Sequence, residues 1–537
     1  MMSSVNPLGL VLNHIFSNMF LTVLFATSAL YLGWRIWRFY VVPKIYPNDP
    51  KEAPYLIPYL GHTIPMALDF NRTLASMIER FGKSRRPFAI TVAGDTFYVI
   101  TDPKHVAEIY RNEKTLSSER ITRIIHTQSG MSIEAVDKLF KVNPSASHNK
   151  LHPRPLPPVG LMLESLRQHL APSDSLDQLL DNSTIPLVRQ AIDLKWQDFA
   201  APQELEDGTR VLSLKLLCIE AMVRGIVESF YGPTLWELQP DFVHWYMLWE
   251  RVNWKYLFGM PGFLSKDMTQ AKEVMIGLFV KYFSLPRTKR PGANAWILET
   301  EDILIEGGLS TEELGRAMML QTWAVLGNLY KTAFWMVSYI VYDRQLLEAI
   351  REEITPAISG DRVHHHYLNK ECPRLDSLFA EVLRISVSMP LVRHITDDTV
   401  IGGSTFRKGN NVMISYHQLH LNKDAWGANA DGFQADRFLN KTSLKSSLSY
   451  RPFGGGSGLC PGRQYARETT FSFIAMLLSR YDLTLVTEEA GSSGGDKAHE
   501  VKKSRFPQPD YSKPVVGVTA PGEQEDITIC LTPRVVV

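Results

Sequence analysis

Eleven residues, Phe453-Gly454-Gly455-Gly456-Ser457-Gly458-Leu459-Cys460-Pro461-Gly462-Arg463, constrain this chain more than any other stretch. Gly454, Gly455, Gly456 and Gly458 free the backbone for angles that a β-carbon forbids, and Pro461 has no N–H, so neighbouring donors can turn toward the cysteine. Such a loop favours a thiolate at Cys460. The following Gln464–Glu468 segment reads as the start of a helix, whose N-terminus also favours negative charge. A thiolate held between backbone donors and a helix start is what an axial haem-iron ligand requires. A glycine turn beside a buried free cysteine does not reach that conclusion alone, so the rest of the chain has to carry it.

Two upstream segments do. Glu381-Val382-Leu383-Arg384 is an E-x-x-R string, and Ala435-Asp436-Arg437-Phe438 is a P-x-R-F string with alanine in place of proline. Either is worth little alone, since Glu and Arg three apart occur on many solvated helices. In this order before Cys460 they resemble the cytochrome P450 superfamily. The resemblance implies one mainly α domain with small β-sheets, preceded by an N-terminal transmembrane helix. It also implies haem b with Cys460 as axial and metal ligand, framed by Phe453, Gly454 and Gly462. Glu381, Arg384 and Arg437 would form a buried triad behind the haem loop. In Ser386–Arg393, Arg393 would bind a propionate, since a guanidinium matches a carboxylate in a fork.

The first 34 residues contain no Lys, Arg, Asp or Glu. A span needs about 20 apolar residues, which predicts a membrane helix over Val11–Trp34. A cleaved signal peptide fits less well, because no basic region precedes the apolar run. Arg35, Arg38 and Lys44 then place the body in the cytosol. The chain divides into an anchor at 1–42, a proline-rich hinge at 43–62 and a haem-thiolate domain at 63–537. The expected location is the endoplasmic reticulum membrane, single-pass. Lys+Arg 57 against Asp+Glu 56 argues against nucleic acid as a partner. Cys218, Cys372, Cys460 and Cys530 are too scattered for a disulfide framework.

Within the body, 71–81 reads as an amphipathic helix, 88–92 and 96–100 as a hairpin, and Asp102 as the cap of a helix over 105–111. From 116 to 140 the apolar period fades, and a loop over the haem is expected, with Ile121, Ile124, Ile125 and Met131 toward substrate. The prolines of 151–158 break the helix that in the family bears a propionate-binding cation, leaving His152 or Arg154 in that role. Periodicity predicts helices over 212–230 and 241–254. The aromatic stretch Trp254–Phe263 is either core or a bilayer-dipping channel mouth.

A long helix runs from Ser310, with Glu313 completing a capping box, to Tyr342. Aligned on Phe334-Trp335, it is most similar to the branch containing prostacyclin synthase and the bile-acid steroid hydroxylases. Where many relatives carry an acid–threonine pair, Gly327 and Asn328 stand, and these are the candidate catalytic positions. Asn328 can donate and accept hydrogen bonds but relays protons less readily than a carboxylate and hydroxyl. His364-His365-His366 looks like a metal tract but reads as a solvated polar loop, and His417 and His420 as polar fillers. Glu488–Lys503 reads as a flexible excursion. Pro514–Thr519 resembles the last β-turn at the pocket, in a C-terminal pattern similar to that of fungal secondary-metabolism members.

The resemblance implies a monooxygenase acting on a lipophilic small molecule, with electrons from a separate NADPH–cytochrome P450 reductase. Gly327-Asn328 also permits an O2-independent isomerase or dehydratase. A non-catalytic haem-binding protein is the alternative of another class.

Overall fold

The computed structural model describes residues 7–81, 85–150, 153–193, 203–205, 208–486 and 505–534. His152 and the whole 488–503 excursion lie outside the described residues. Helices dominate, and among the described residues the strands form four small sheets, of six, four, two and two strands.

The N-terminal helix spans Pro7–Ile36, and its residues from Met19 to Ile36 are largely exposed. Among the described residues, Met19–Ile45 is the one stretch long and apolar enough to cross a membrane. Pro43 does not end this helix. A π-helical turn over Trp37–Val41, with the Val42 N–H reaching the Trp37 carbonyl, absorbs the bond that proline cannot make, and helix resumes over Val42–Ile45. The proline segment that follows is packed. Arg38 pairs with Glu52 at 2.6 Å, Arg35 donates to the Tyr55 carbonyl at 2.6 Å, and Lys51–Glu52 forms a strand.

That strand edges a six-stranded mixed sheet in the order Lys51–Glu52, Phe88–Val92, Asp95–Ile100, Asn411–Ser415, Pro390–Ile395, Leu116–Ser117. The predicted hairpin is present. Its turn needs positive φ at Ala93 and Gly94, a pattern that matches the right-handed twist of the strands. The helix predicted over 71–81 spans Phe70–Arg80, capped by Asp69, and Asp102 caps Pro103–Arg111.

The region expected as a loop is two helices, Glu119–Gln128 and Ile133–Phe140, the second capped by Ser132. Ile121, Ile124 and Ile125 do follow helical spacing, but only over one turn among polar neighbours, too short for a period to stand out. The helix beyond the prolines spans Pro158–Leu170, with Pro158 in its first turn, where a missing N–H costs nothing.

The long helix spans Thr311–Tyr342 with both bonds of the Ser310–Glu313 box made. Phe334, Trp335, Met336 and Val337 are fully or nearly fully buried; each such side chain contributes about 1.5–3 kcal/mol. The Lys266–Ser284, Pro373–Ser386 and Arg463–Arg480 helices pack around this axis, and the Phe242–Leu257 helix meets it through Trp249 on Trp323. The periodic segment predicted over 212–230 is a strand, Arg210–Ser213, followed by helical turns from Leu214 to Tyr231. All four cysteines are free thiols.

Candidate active site

The loop around Cys460 is closed by the Cys460 N–H donating to the Phe453 carbonyl at 2.9 Å. Gly454 and Gly456 take positive φ, and a β-carbon on Gly455 would stand 2.8 Å from the Tyr110 ring. The Arg463–Arg480 helix starts directly behind, with Gly462 at its N-cap. Burial pushes the Cys460 thiol up, against the Gly462 N–H and the Arg463 cation, which favour the thiolate. One backbone donor and one cation do not outweigh desolvation here; a metal ion at the sulfur adds the missing positive charge, since coordination deprotonates a thiol.

The predicted triad is formed, and both Glu381 and Arg384 are 0% exposed. Arg384 pairs with Glu381 at 2.7 Å, and Arg437 reaches the same carboxylate at 3.0 Å. Arg384 also donates to the His420 carbonyl at 2.8 Å and the Gly432 carbonyl at 2.9 Å. His420 is more than filler. Burial and the nearby Arg384 cation hold its pKa down to about 3, and its neutral Nε2 accepts from the Arg451 N–H at 3.0 Å. The triad is thus wired through His420 to the strand of chain that enters the cysteine loop.

A cavity of about 310 Å³ lies between this loop and the long helix. It is lined by Cys460, Phe453, Gly454 and Gly462 on one side and Ala324, Asn328 and Thr332 on the other. Leu166 and Leu170, Val387 and Met389, and Val516 to Val518 close the sides. At its edge a β-carbon on Gly458 would come within 3.0 Å of the Arg393 guanidinium. The paired hydroxyls of Tyr110 and Tyr416, 2.6 Å apart, lie near that cation. Among the described residues no carboxylate or carbonyl accepts from Arg393. A soft sulfur donor, a flat apolar gap and an unengaged guanidinium at its edge fit a haem with anionic side arms. On the same face Arg167, from the Pro158–Leu170 helix, donates to the Ser457 carbonyl at 3.0 Å. Arg154 and the isoleucines 121, 124 and 125, with Met131, do not line this cavity.

Asn328 and Gly327 part company, as consecutive residues turned about 100° apart on a helix must. Asn328 faces the cysteine cavity, and its Oδ1 accepts from the Val518 N–H at 2.8 Å. Gly327 faces a second cavity of about 750 Å³ instead. A β-carbon there would stand 3.3 Å from Glu250 Oε1 on the Phe242–Leu257 helix. Glu250 is buried. It accepts from Trp323 Nε1 and Asn253 Nδ2 at 2.9 Å each, accepts from the Tyr330 hydroxyl at 3.2 Å, and pairs with Lys331 at 2.6 Å. Sequence reading missed this cluster; its one signal is Lys331, the single charged residue of the long helix after Arg316. Val516 lines both cavities, so they adjoin at the Pro514–Thr519 turn, which lies where it was expected.

A family model described as Cytochrome P450 matches residues 237–494. The Cytochrome P450 monooxygenase poxD of Penicillium oxalicum is 25% identical over 484 residues, 87% of this chain and 94% of that protein. The 5-beta-cholestane-3-alpha,7-alpha-diol 12-alpha-hydroxylase of Sus scrofa is 22% identical over 82% of this chain and 87% of its own length. The Steroid 17-alpha-hydroxylase/17,20 lyase of Felis catus is 36% identical over a shorter stretch, 28% of this chain and 30% of that protein.

Proposed function

We propose that this chain, which belongs to the cytochrome P450 superfamily and is a haem-thiolate monooxygenase, inserts one oxygen atom of O2 into a terpenoid, steroid or polyketide scaffold in fungal secondary metabolism. The observation that carries the reading is Cys460 facing Asn328 across an apolar cavity with the Arg393 guanidinium at its edge. Bound haem supplies the activation of O2 at its iron, with the Cys460 thiolate as the electron-donating ligand. The other atom of O2 leaves as water, and NADPH supplies two electrons through a separate reductase.

The chain's residues do the rest. The Gly462 N–H and the helix behind it steady the sulfur; Phe453, Gly454 and Gly462 leave a flat face; Arg393 takes an anionic side arm of the haem. Leu166, Val387 and Val516 keep water from the reacting carbon. Asn328, its oxygen held by the Val518 N–H, keeps its Nδ2 protons as donors at the cavity wall. Gly327 lets the Glu250 carboxylate approach the long helix, so the larger cavity offers the substrate a polar rim of Glu250, Lys331 and Lys215 above an apolar floor.

In this reading 1–42 anchors the chain in the endoplasmic reticulum membrane, 43–62 joins it to the body, and 63–537 is the cytosolic catalytic domain. Phe263, 76% exposed, and Leu264 are exposed apolar side chains on one segment, and Ile64 and Leu68 on another. The two segments are joined by the Phe70–Phe258 ring contact and by Lys513, which bonds the Ala67 carbonyl and sits over Trp254. Those exposed side chains suit a bilayer surface beside the channel mouth.

Purified protein, reductase, NADPH and a panel of such scaffolds under 18O2 test the function: one labelled atom is expected in the product. Product formed without O2 would overturn it in favour of an isomerase. Cys460→Ser is expected to remove the red-shifted reduced-carbonyl band of thiolate ligation, and survival of that band would remove Cys460 from its role.

A further inference from the structure

On the far side of the Arg463–Arg480 helix from the cavity, the histidine tract forms something its sequence context hides. His365 opens the helix His365–Glu371 and is 2% exposed. Its Nδ1 stands 2.5 Å from Glu468 Oε2, and Gln464 Nε2 donates to the other Glu468 oxygen at 2.5 Å. With both oxygens engaged, Glu468 is fixed as acceptor, which puts a His365 proton on Nδ1 and leaves Nε2 to take a second proton or a metal ion.

That buried Nε2 has no hydrogen-bond partner. It points toward Asp181, whose Oδ1 is 3.5 Å away. Beside it the His366 Nε2 faces Asp177 Oδ2 at 3.3 Å, and the two imidazole rings lie 4.2 Å apart. One ligand atom each from Asp177, His365, His366 and Glu468 falls within 4.8 Å of all the others. An imidazole Nε2 directed at carboxylates calls for positive charge at that point, and either a second proton or a metal ion supplies it.

We propose that His365 Nε2, His366 Nε2 and Asp177 bind one zinc ion, with Asp181 beside them and Glu468 as the outer carboxylate that orients His365. Two imidazoles and a carboxylate are a zinc donor set, and tetrahedral bonds of about 2.0 Å put ligand atoms about 3.3 Å apart. The more exposed His366 and Asp177 have the freedom to close the remaining distance onto the rigid His365–Glu468 pair. A carboxylate accepting from the other nitrogen of a metal-bound histidine is the usual way of fixing such a ligand. The ion would join three elements, Asp174–Leu179, His365–Glu371 and Arg463–Arg480, the last of which begins three residues after Cys460.

The test uses full-length, haem-loaded protein without a histidine tag, freed of metal by chelator and titrated with Zn2+ by calorimetry. Zinc-edge X-ray scattering of the loaded sample identifies the ligands. One zinc per chain is expected, with two imidazoles in its shell and a raised thermal midpoint. Asp177→Asn combined with His366→Ala changes only partly exposed side chains and should abolish the binding while haem content stays at the wild-type level. Glu468→Gln should weaken zinc by about 10–100-fold. Binding that is equal in wild type and the double variant, a zinc shell without imidazole, or no binding by the wild type would each overturn the site.

Discussion

Two buried carboxylates, Glu381 and Glu250, lie outside the Cys460 cavity and are compensated in different ways. Glu381 has two arginines, and those arginines spend their remaining N–H groups on backbone carbonyls of His420, Trp426, Asn429, Ala430 and Gly432. The result is a knot of main chain that cannot shift without uncovering charge. Glu250 is held by side chains alone, Trp323, Tyr330, Lys331 and Asn253, in the wall of the larger cavity. A cluster tied to backbone fixes a scaffold; one tied to side chains can be retuned by changing single residues. The side that holds the cysteine is built the first way and the wall of the larger cavity the second.

Arg384→Leu attacks the first kind and should have the largest effect. It leaves Glu381 buried with one cation fewer and removes three bonds to backbone carbonyls, a loss of about 3–5 kcal/mol, read as a lowered thermal midpoint and poor haem retention. A variant that keeps both would mean the knot is not a scaffold.

Asn328→Ala lies between the two sides. Loss of a positioned donor typically costs ~10² in proton transfer, so the ratio of product to NADPH consumed should fall and hydrogen peroxide release rise, with substrate affinity little changed. An unchanged ratio would show that the Asn328–Val518 bond is its whole role.

Glu250→Gln probes the second kind and should cost least. Lys331 keeps a neutral acceptor and faces a cavity, so about 1–2 kcal/mol is expected, and adding Lys331→Met should restore most of it. A loss as large as that of Arg384→Leu would erase the distinction between the two clusters.

The same distinction decides what was legible in the chain. The cysteine loop, Glu381–Arg384 and the capped long helix are contiguous strings whose geometry follows from local spacing, and they stood out. Glu250 and Lys331 are far apart in sequence and meet only when helices pack, so neither announces the other. The helices over Glu119–Gln128 and Ile133–Phe140 were hidden because each offers too few turns for a period. His365 read as solvated because nothing near it in the chain shows that Glu468 will cover it. Gly327 was grouped with Asn328 by adjacency, whereas helical rotation assigns them to different cavities.

The bond between Asn328 and the last turn has one further consequence. Gly517 has φ 108°, and a β-carbon on it would stand 2.3 Å from Asn328 Oδ1. The two positions therefore behave as one inherited character. A lineage that enlarges residue 517 must first shorten residue 328, and even then the positive φ at 517 still favours glycine. The order of mutations, and not only their sum, limits which descendants of this pocket can be reached.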